Sequence, residues 1–89
     1  NLFVLERLGD GNNKDGCLLA INDHSTTTYS DAGIKTHWLS KTLVNITNAT
    51  DTLDTDATGA VISSLSVGPR AYKVYVEQSK YNALGGPPP

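Results

Sequence analysis

The chain has 89 residues, with seven basic and nine acidic side chains and a formal net charge of −2. That length sets one domain with a thin core and leaves no room for a deep enclosed cleft. With no basic run, no Lys/Arg cluster interleaved with aromatics and no apolar run of ~20 residues, neither a nucleic-acid partner nor a membrane-spanning helix is expected.

Cys17 is the single cysteine, so it makes neither an internal disulfide nor a cysteine-based zinc site. Asn1 is not a Met and no signal-peptide pattern follows it, so the chain reads as a processed product or a fragment. Thr, Val, Ile and Tyr are frequent and Gly recurs at turn-like spacings, a β composition.

In chain order, LFVLERL (2–8) reads as a first strand with alternate sets Leu2, Val4, Glu6, Leu8 and Phe3, Leu5, Arg7. GDGNNKDG (9–16) is a turn-rich loop. CLLAIND (17–23) is apolar on both faces and reads as a central strand. Residues 24–34 read as a loop or a weak edge strand. KTHWL (35–39) and TLVNIT (42–47) are expected to be the next two strands, followed by a short strand at 51–55. DATG (56–59) is a turn, AVISSL (60–65) a strand, VGP a second turn and RAYKVYVE (70–77) the last strand.

The last strand alternates most cleanly. Tyr72, Val74 and Val76 are expected to face the core, with Ala71, Lys73, Tyr75 and Glu77 on the other side. EQSKYNAL (77–84) has weak helical spacing and reads as a frayed turn. The Gly- and Pro-rich end, 82–89, reads as a tail or linker after a domain spanning 1–81. Short strands at regular spacing predict an all-β fold, an antiparallel Greek-key β-sandwich of about seven to eight strands.

Six pieces stand in a telling order: ERLGD (6–10), GCLLAIND (16–23), THW (36–38), LVNIT (43–47), TDATGAV (55–61) and RAYKVYV (70–76). Together they resemble the C-terminal β-sandwich domain of α-amylase-family glycoside hydrolases, across residues 4–77. That family has a strand ending in Arg-Leu-Gly-Asp, then a Gly-led apolar strand ending in Asn or Asp. A Trp-bearing strand, a Val-Asn-Ile-Thr-like strand, a Thr-Asp-x-x-Gly turn and a final strand alternating Val with aromatics follow. The sequence departs from the pattern at Ala60, where a large residue is usual, at Tyr75, where Trp is common, and at Gly68-Pro69, where Gly-Gly often stands.

The resemblance implies a secreted, non-catalytic accessory domain acting beside a separate catalytic (β/α)₈ barrel. The barrel is then the expected partner, through an apolar-aromatic face, and some members also hold starch or a related α-glucan on the surface. None of that barrel is among these 89 residues.

No catalytic residue and no metal site is expected in the chain itself. Asp54 and Asp56 share a strand face, but retaining or inverting glycoside hydrolysis needs two carboxyls ~5–9.5 Å apart across a cleft, and these border an exposed turn. As the start of a calcium loop, Asp54–Gly59 has Thr58 at the fifth position, where Asp or Asn is needed, and Leu65 falls at the twelfth, where a bidentate Glu belongs. Asp23, His24 and Ser25 are consecutive and do not converge as a triad. His24 and His37 lack a third ligand at a recognisable spacing, and no cofactor is expected.

For sugar contact the candidates are Trp38, Tyr75, Tyr29 and His37, since sugars stack a C–H face on an exposed aromatic while polar neighbours hold the hydroxyls. Burial is the favoured reading of Trp38, and Tyr72 is assigned to the core. Asn45-Ile46-Thr47 and Asn48-Ala49-Thr50 are both N-glycosylation sequons, with Asn45 expected to point outward because Val44 and Ile46 face the core.

Two other functions remain open, a free-standing carbohydrate-binding module or small lectin, and an Ig-like structural or adhesion domain. An accessory domain predicts one sizeable apolar patch, a binding module exposed aromatics in a shallow polar groove, and an adhesion domain neither.

Overall fold

A computed structural model describes residues 2–13 and 15–83. Among the described residues there are seven strands: β1 (Leu2–Arg7), β2 (Cys17–Asn22), β3 (Tyr29–Asp31), β4 (Thr42–Asn45), β5 (Asn48–Asp54), β6 (Leu65–Val67) and β7 (Ala71–Glu77). A short helix, α1 (Gln78–Ala83), follows β7. Five strands form one sheet in the order β1-β2-β7-β4-β5, and β3 pairs with β6 in a second. Every strand pair is antiparallel, so the protein is all-β with antiparallel sheets.

Register decides which side chains share a face. Glu6 lies opposite Leu18, Leu18 opposite Tyr75, and Tyr75 opposite Asn45, one row crossing four strands. Leu18, Ala20, Leu43, Leu53 and Tyr75 of the large sheet pack with Leu65 and Val67 of β6. Ile34, Trp38 and Val61, from connecting segments, complete this core. Burying each Leu, Ile or Val side chain of this set stabilises the fold by roughly 1.5–3 kcal/mol. On the opposite face of the large sheet, Val44, Val76 and Tyr81 of α1 form a smaller cluster, with Cys17 and Ile46 packed against it.

Several sequence expectations are corrected by this register. In β7 it is Tyr75, 1% exposed, that enters the main core, while Tyr72 is 60% exposed. RAYKVYVE carries apolar residues at both parities, so alternation alone cannot choose between its faces, and the position of Leu18 opposite Tyr75 does. Asn45 is likewise buried, at 2% exposure. Both faces of β4 are covered, Leu43 by the main core and Val44 by α1, so burial of Val44 does not turn its neighbour outward.

KTHWL is not a strand, and AVISSL enters one only at Leu65, the first residue of β6. Residues 35–39 and 60–64 otherwise make only isolated bridges, Lys35 with Ala60 and Val61 with Thr55, and Trp38 reaches the core from a non-strand segment. Residues 78–83 are helical rather than a frayed turn, because Glu77 accepts hydrogen bonds from the Ser79 backbone N–H and hydroxyl at the helix start and Tyr81 is buried. The helix crosses the expected boundary at residue 81, and 84–89 of the expected tail lie outside the described residues.

Gly59 joins the 35–40 segment to the sheet region. Its carbonyl accepts from the Thr36 N–H (2.8 Å) and the Thr36 hydroxyl (2.9 Å), and its φ is +90°. A Cβ there would lie 2.2 Å from the Thr36 carbonyl oxygen. Gly33 has a similar φ of +78° but open space around it. Gly59→Ala is therefore expected to destabilise by about 2 kcal/mol or more, and Gly33→Ala by only about 1 kcal/mol, as read by chemical denaturation. Equal losses would show that the contact with Thr36 carries no weight.

Candidate functional site

Polar side chains inside the large sheet act as hooks for the segments around it. At the β5 end, Asp51 accepts from the Tyr75 hydroxyl (2.8 Å) and the Asn45 amide (3.2 Å), and Lys73 pairs with it at 2.7 Å. Burial opposes ionisation of Asp51 more than any one neighbour favours it, but Lys73, Tyr75 and Asn45 together hold its carboxyl below the ordinary value. The same burial, with the adjacent Asp51 carboxylate, pushes the Tyr75 hydroxyl well above its ordinary value, so it stays a neutral donor. Glu77 is also held low. Burial opposes this, and the Ser79 hydroxyl and N–H outweigh it, with Lys41 adding to them.

At the β1 end, Glu6 accepts from the His37 backbone N–H at 2.8 Å, and its carboxylate meets His37 Nδ1 at 2.5 Å. The other ring nitrogen faces the Asp15 carbonyl at 2.7 Å. The His37 ring also lies tilted against Trp38, with centroids 4.3 Å apart. Glu6 thus ties β1 to the 35–40 segment that delivers Trp38 to the core. On β2, the buried Asn22 amide donates to the carbonyls of Thr27 (2.7 Å) and Val67 (2.9 Å) and its oxygen accepts from the His24 N–H (2.9 Å). Asn22 so links the large sheet, the 23–28 loop and β6.

Three Asx-x-Thr turns share one local geometry. Thr47 N–H and hydroxyl donate to the Asn45 side-chain oxygen, Thr50 to that of Asn48, and Thr58 to that of Asp56. Asp56 also accepts from the Ala60 N–H, and Asp54 from the Thr42 hydroxyl. Both acids are therefore occupied by local structure. Among the described residues, no group of three or more His, Cys, Asp or Glu is placed to hold a metal ion, and no helix is long and apolar enough to cross a membrane.

The outer face of β1, β2 and β7 is apolar. Phe3, Ile21 and Tyr72 form one cross-strand row, and Leu5, Leu19 and Val74 the next. Neighbouring strands lie about 4.8 Å apart and same-face residues about 7 Å apart along a strand, so the six side chains are contiguous. Phe3 is 55% exposed, and Leu5 and Tyr72 are each 60% exposed. Singly exposed apolar residues are ordinary on a protein surface, whereas here two aromatic and four aliphatic side chains form one connected block.

The four sugar-contact candidates do not meet on one exposed surface. Trp38 and Tyr75 are buried. His37 is half-buried between Glu6 and Asp15, and half-buried Tyr29, on the small sheet, meets His24 edge-on at 5.7 Å. The exposed aromatics are Phe3, which the sequence placed in no site, and Tyr72, which it assigned to the core. Of the sequon asparagines, Asn45 is buried and Asn48 exposed. Sequence reasoning also missed Glu6, Asn22 and Asp51. The available signal was a polar residue continuing an otherwise apolar face, as Glu6 follows Leu2 and Val4, and Asn22 follows Leu18 and Ala20. No protein-family model, curated protein or solved structure matches the chain.

Asp51 and Glu77 titrate lower in the folded chain than their ordinary values of 3.8 and 4.5. A depressed folded value means a stabilising contribution that is present above the unfolded value and lost as pH falls through the folded one. The thermal midpoint is expected to fall as pH drops from about 5 to about 3, and Asp51→Asn to flatten that fall while lowering the midpoint at neutral pH. A midpoint insensitive to acid in the parent chain would remove the role given to these carboxylates.

Proposed function

We propose that this chain is a non-catalytic accessory β-domain of a secreted α-amylase-type glycoside hydrolase acting on starch or related α-glucans. It docks through the outer face of β1, β2 and β7 onto the catalytic (β/α)₈ barrel. The observation that carries the reading is the two-row block Phe3, Ile21, Tyr72 and Leu5, Leu19, Val74, an apolar-aromatic face of the kind such a domain needs. The six sequence pieces that resemble the C-terminal domain of that family support it, in order along the chain.

The same reading takes the two sheets as a Greek-key sandwich. Insertion of β7 between β2 and β4, and packing of β6 onto the large-sheet core, support that arrangement. A free-standing sugar-binding module draws less support, because Trp38 and Tyr75 offer no exposed ring for stacking.

The test is a pair of charge substitutions on the face, Leu5→Glu with Tyr72→Glu. In the isolated chain they are expected to shift stability by no more than about 0.5 kcal/mol, since both sites are exposed. In the barrel-containing protein they are expected to loosen docking by more than about 1 kcal/mol, seen as faster hydrogen exchange across β1, β2 and β7 and a lower thermal midpoint. A source protein in which this sequence is joined to no barrel, or an isolated chain that itself hydrolyses starch, would overturn the proposal.

A further inference from the structure

Two sequons lie three residues apart, and the fold treats them differently. Both present the same local turn, with the Thr hydroxyl donating to the Asn side-chain oxygen at 2.9 Å for Asn45 and 2.8 Å for Asn48. The hydroxyl contact therefore does not distinguish them, and the surroundings of the amide nitrogen do. Asn45 Nδ2 is buried and donates to Asp51, the carboxylate that also holds Tyr75 and Lys73. A sugar on that nitrogen would have to enter the covered side of the sheet and displace the cluster. Asn48 is exposed at the start of β5, and Ala49 and Thr50 beside it are exposed as well. β5 is the edge strand farthest from β1, so a sugar there leaves the Phe3–Leu5 end of the apolar face open.

We propose that Asn48 is an acceptor for an N-linked glycan when the chain passes through a eukaryotic secretory pathway, and that folded molecules carry none on Asn45. The donor class is an oligosaccharide on a lipid diphosphate. Asn48 Nδ2 forms a bond to the anomeric carbon as that carbon's bond to the diphosphate oxygen breaks. The lipid diphosphate leaves with the bonding pair, and the amide gives up one proton. Folding selects the site, because a sugar on Asn45 Nδ2 has no room beside Asp51, Tyr75 and Lys73, and β4 cannot close against the core around it.

The experiment is secretion of the full chain from a eukaryotic host, followed by intact-mass measurement before and after treatment with a peptide-N-glycosidase in heavy-oxygen water. The secreted protein is expected to carry the mass of one glycan, with the isotope label on the residue at position 48 after release. Asn48→Gln and Thr50→Ala should each abolish the added mass. Thr47→Ala destroys the Asn45 sequon while leaving the Asn45 amide on Asp51, and should retain it. A secreted chain without any glycan, a label at position 45, or added mass that survives Asn48→Gln and disappears in Thr47→Ala would each overturn the proposal.

Discussion

Tyr75 carries its ring into the main core and its hydroxyl to Asp51, and that one placement sets the parity of β7. β7 is the middle strand of the five, hydrogen-bonded to β2 on one side and β4 on the other. A strand in that position passes its parity to both neighbours, because residues directly opposite one another in a ladder share a face. With Tyr75 inward, Leu18 and Asn45 are inward too, and Glu6 follows through Leu18. The same choice sends Tyr72 and Val74 outward beside Ile21 and Leu19. The core and the apolar outer face are thus two consequences of one side-chain placement.

A core this small leaves polar groups close to its edge, and the protein uses them. Glu6, Asn22 and Asp51 each continue the inward face of a strand where the apolar residues run out. Each accepts or donates at least two hydrogen bonds to a segment outside its own strand. Buried polar atoms of this kind are costly when unpaired, so pairing them gives specificity that a thin apolar layer lacks. Glu6 positions the segment bearing Trp38, Asn22 holds β6 to the large sheet, and Asp51 locks Asn45. The division between the two sequons follows from the last of these: the hydrogen bond that completes the Asp51 cluster is the one that makes Asn45 inaccessible.

Much of the architecture was legible in the chain. The strands at 2–8, 17–23, 42–47 and 70–77 appear close to their expected places, because each is a run of β-branched, aromatic and aliphatic residues bounded by turn formers. The turn at 56–59 appears as expected, since Asp56 and Gly59 supply the side-chain acceptor and the positive φ that it requires. KTHWL and AVISSL looked equally strand-like, yet residues 35–39 and 60–64 serve as connections whose apolar residues, Trp38 and Val61, fill the core. For these, tertiary packing outweighed local propensity. The helix at 78–83 is too short to declare itself by periodicity, and it depends on the Glu77 cap and on Tyr81 finding Val44 and Val76.

By itself, the sequence determined the all-β class, the position of most strands and the turn chemistry. These follow from residue type and spacing along the chain, where sterics and period act locally. Only the tertiary structure decided which face of each strand is inside. That choice depends on register between strands distant in sequence, and a shift of one residue exchanges the faces. It placed Tyr75 and Asn45 within, Tyr72 and Phe3 without, and left Asn48 as the accessible sequon asparagine.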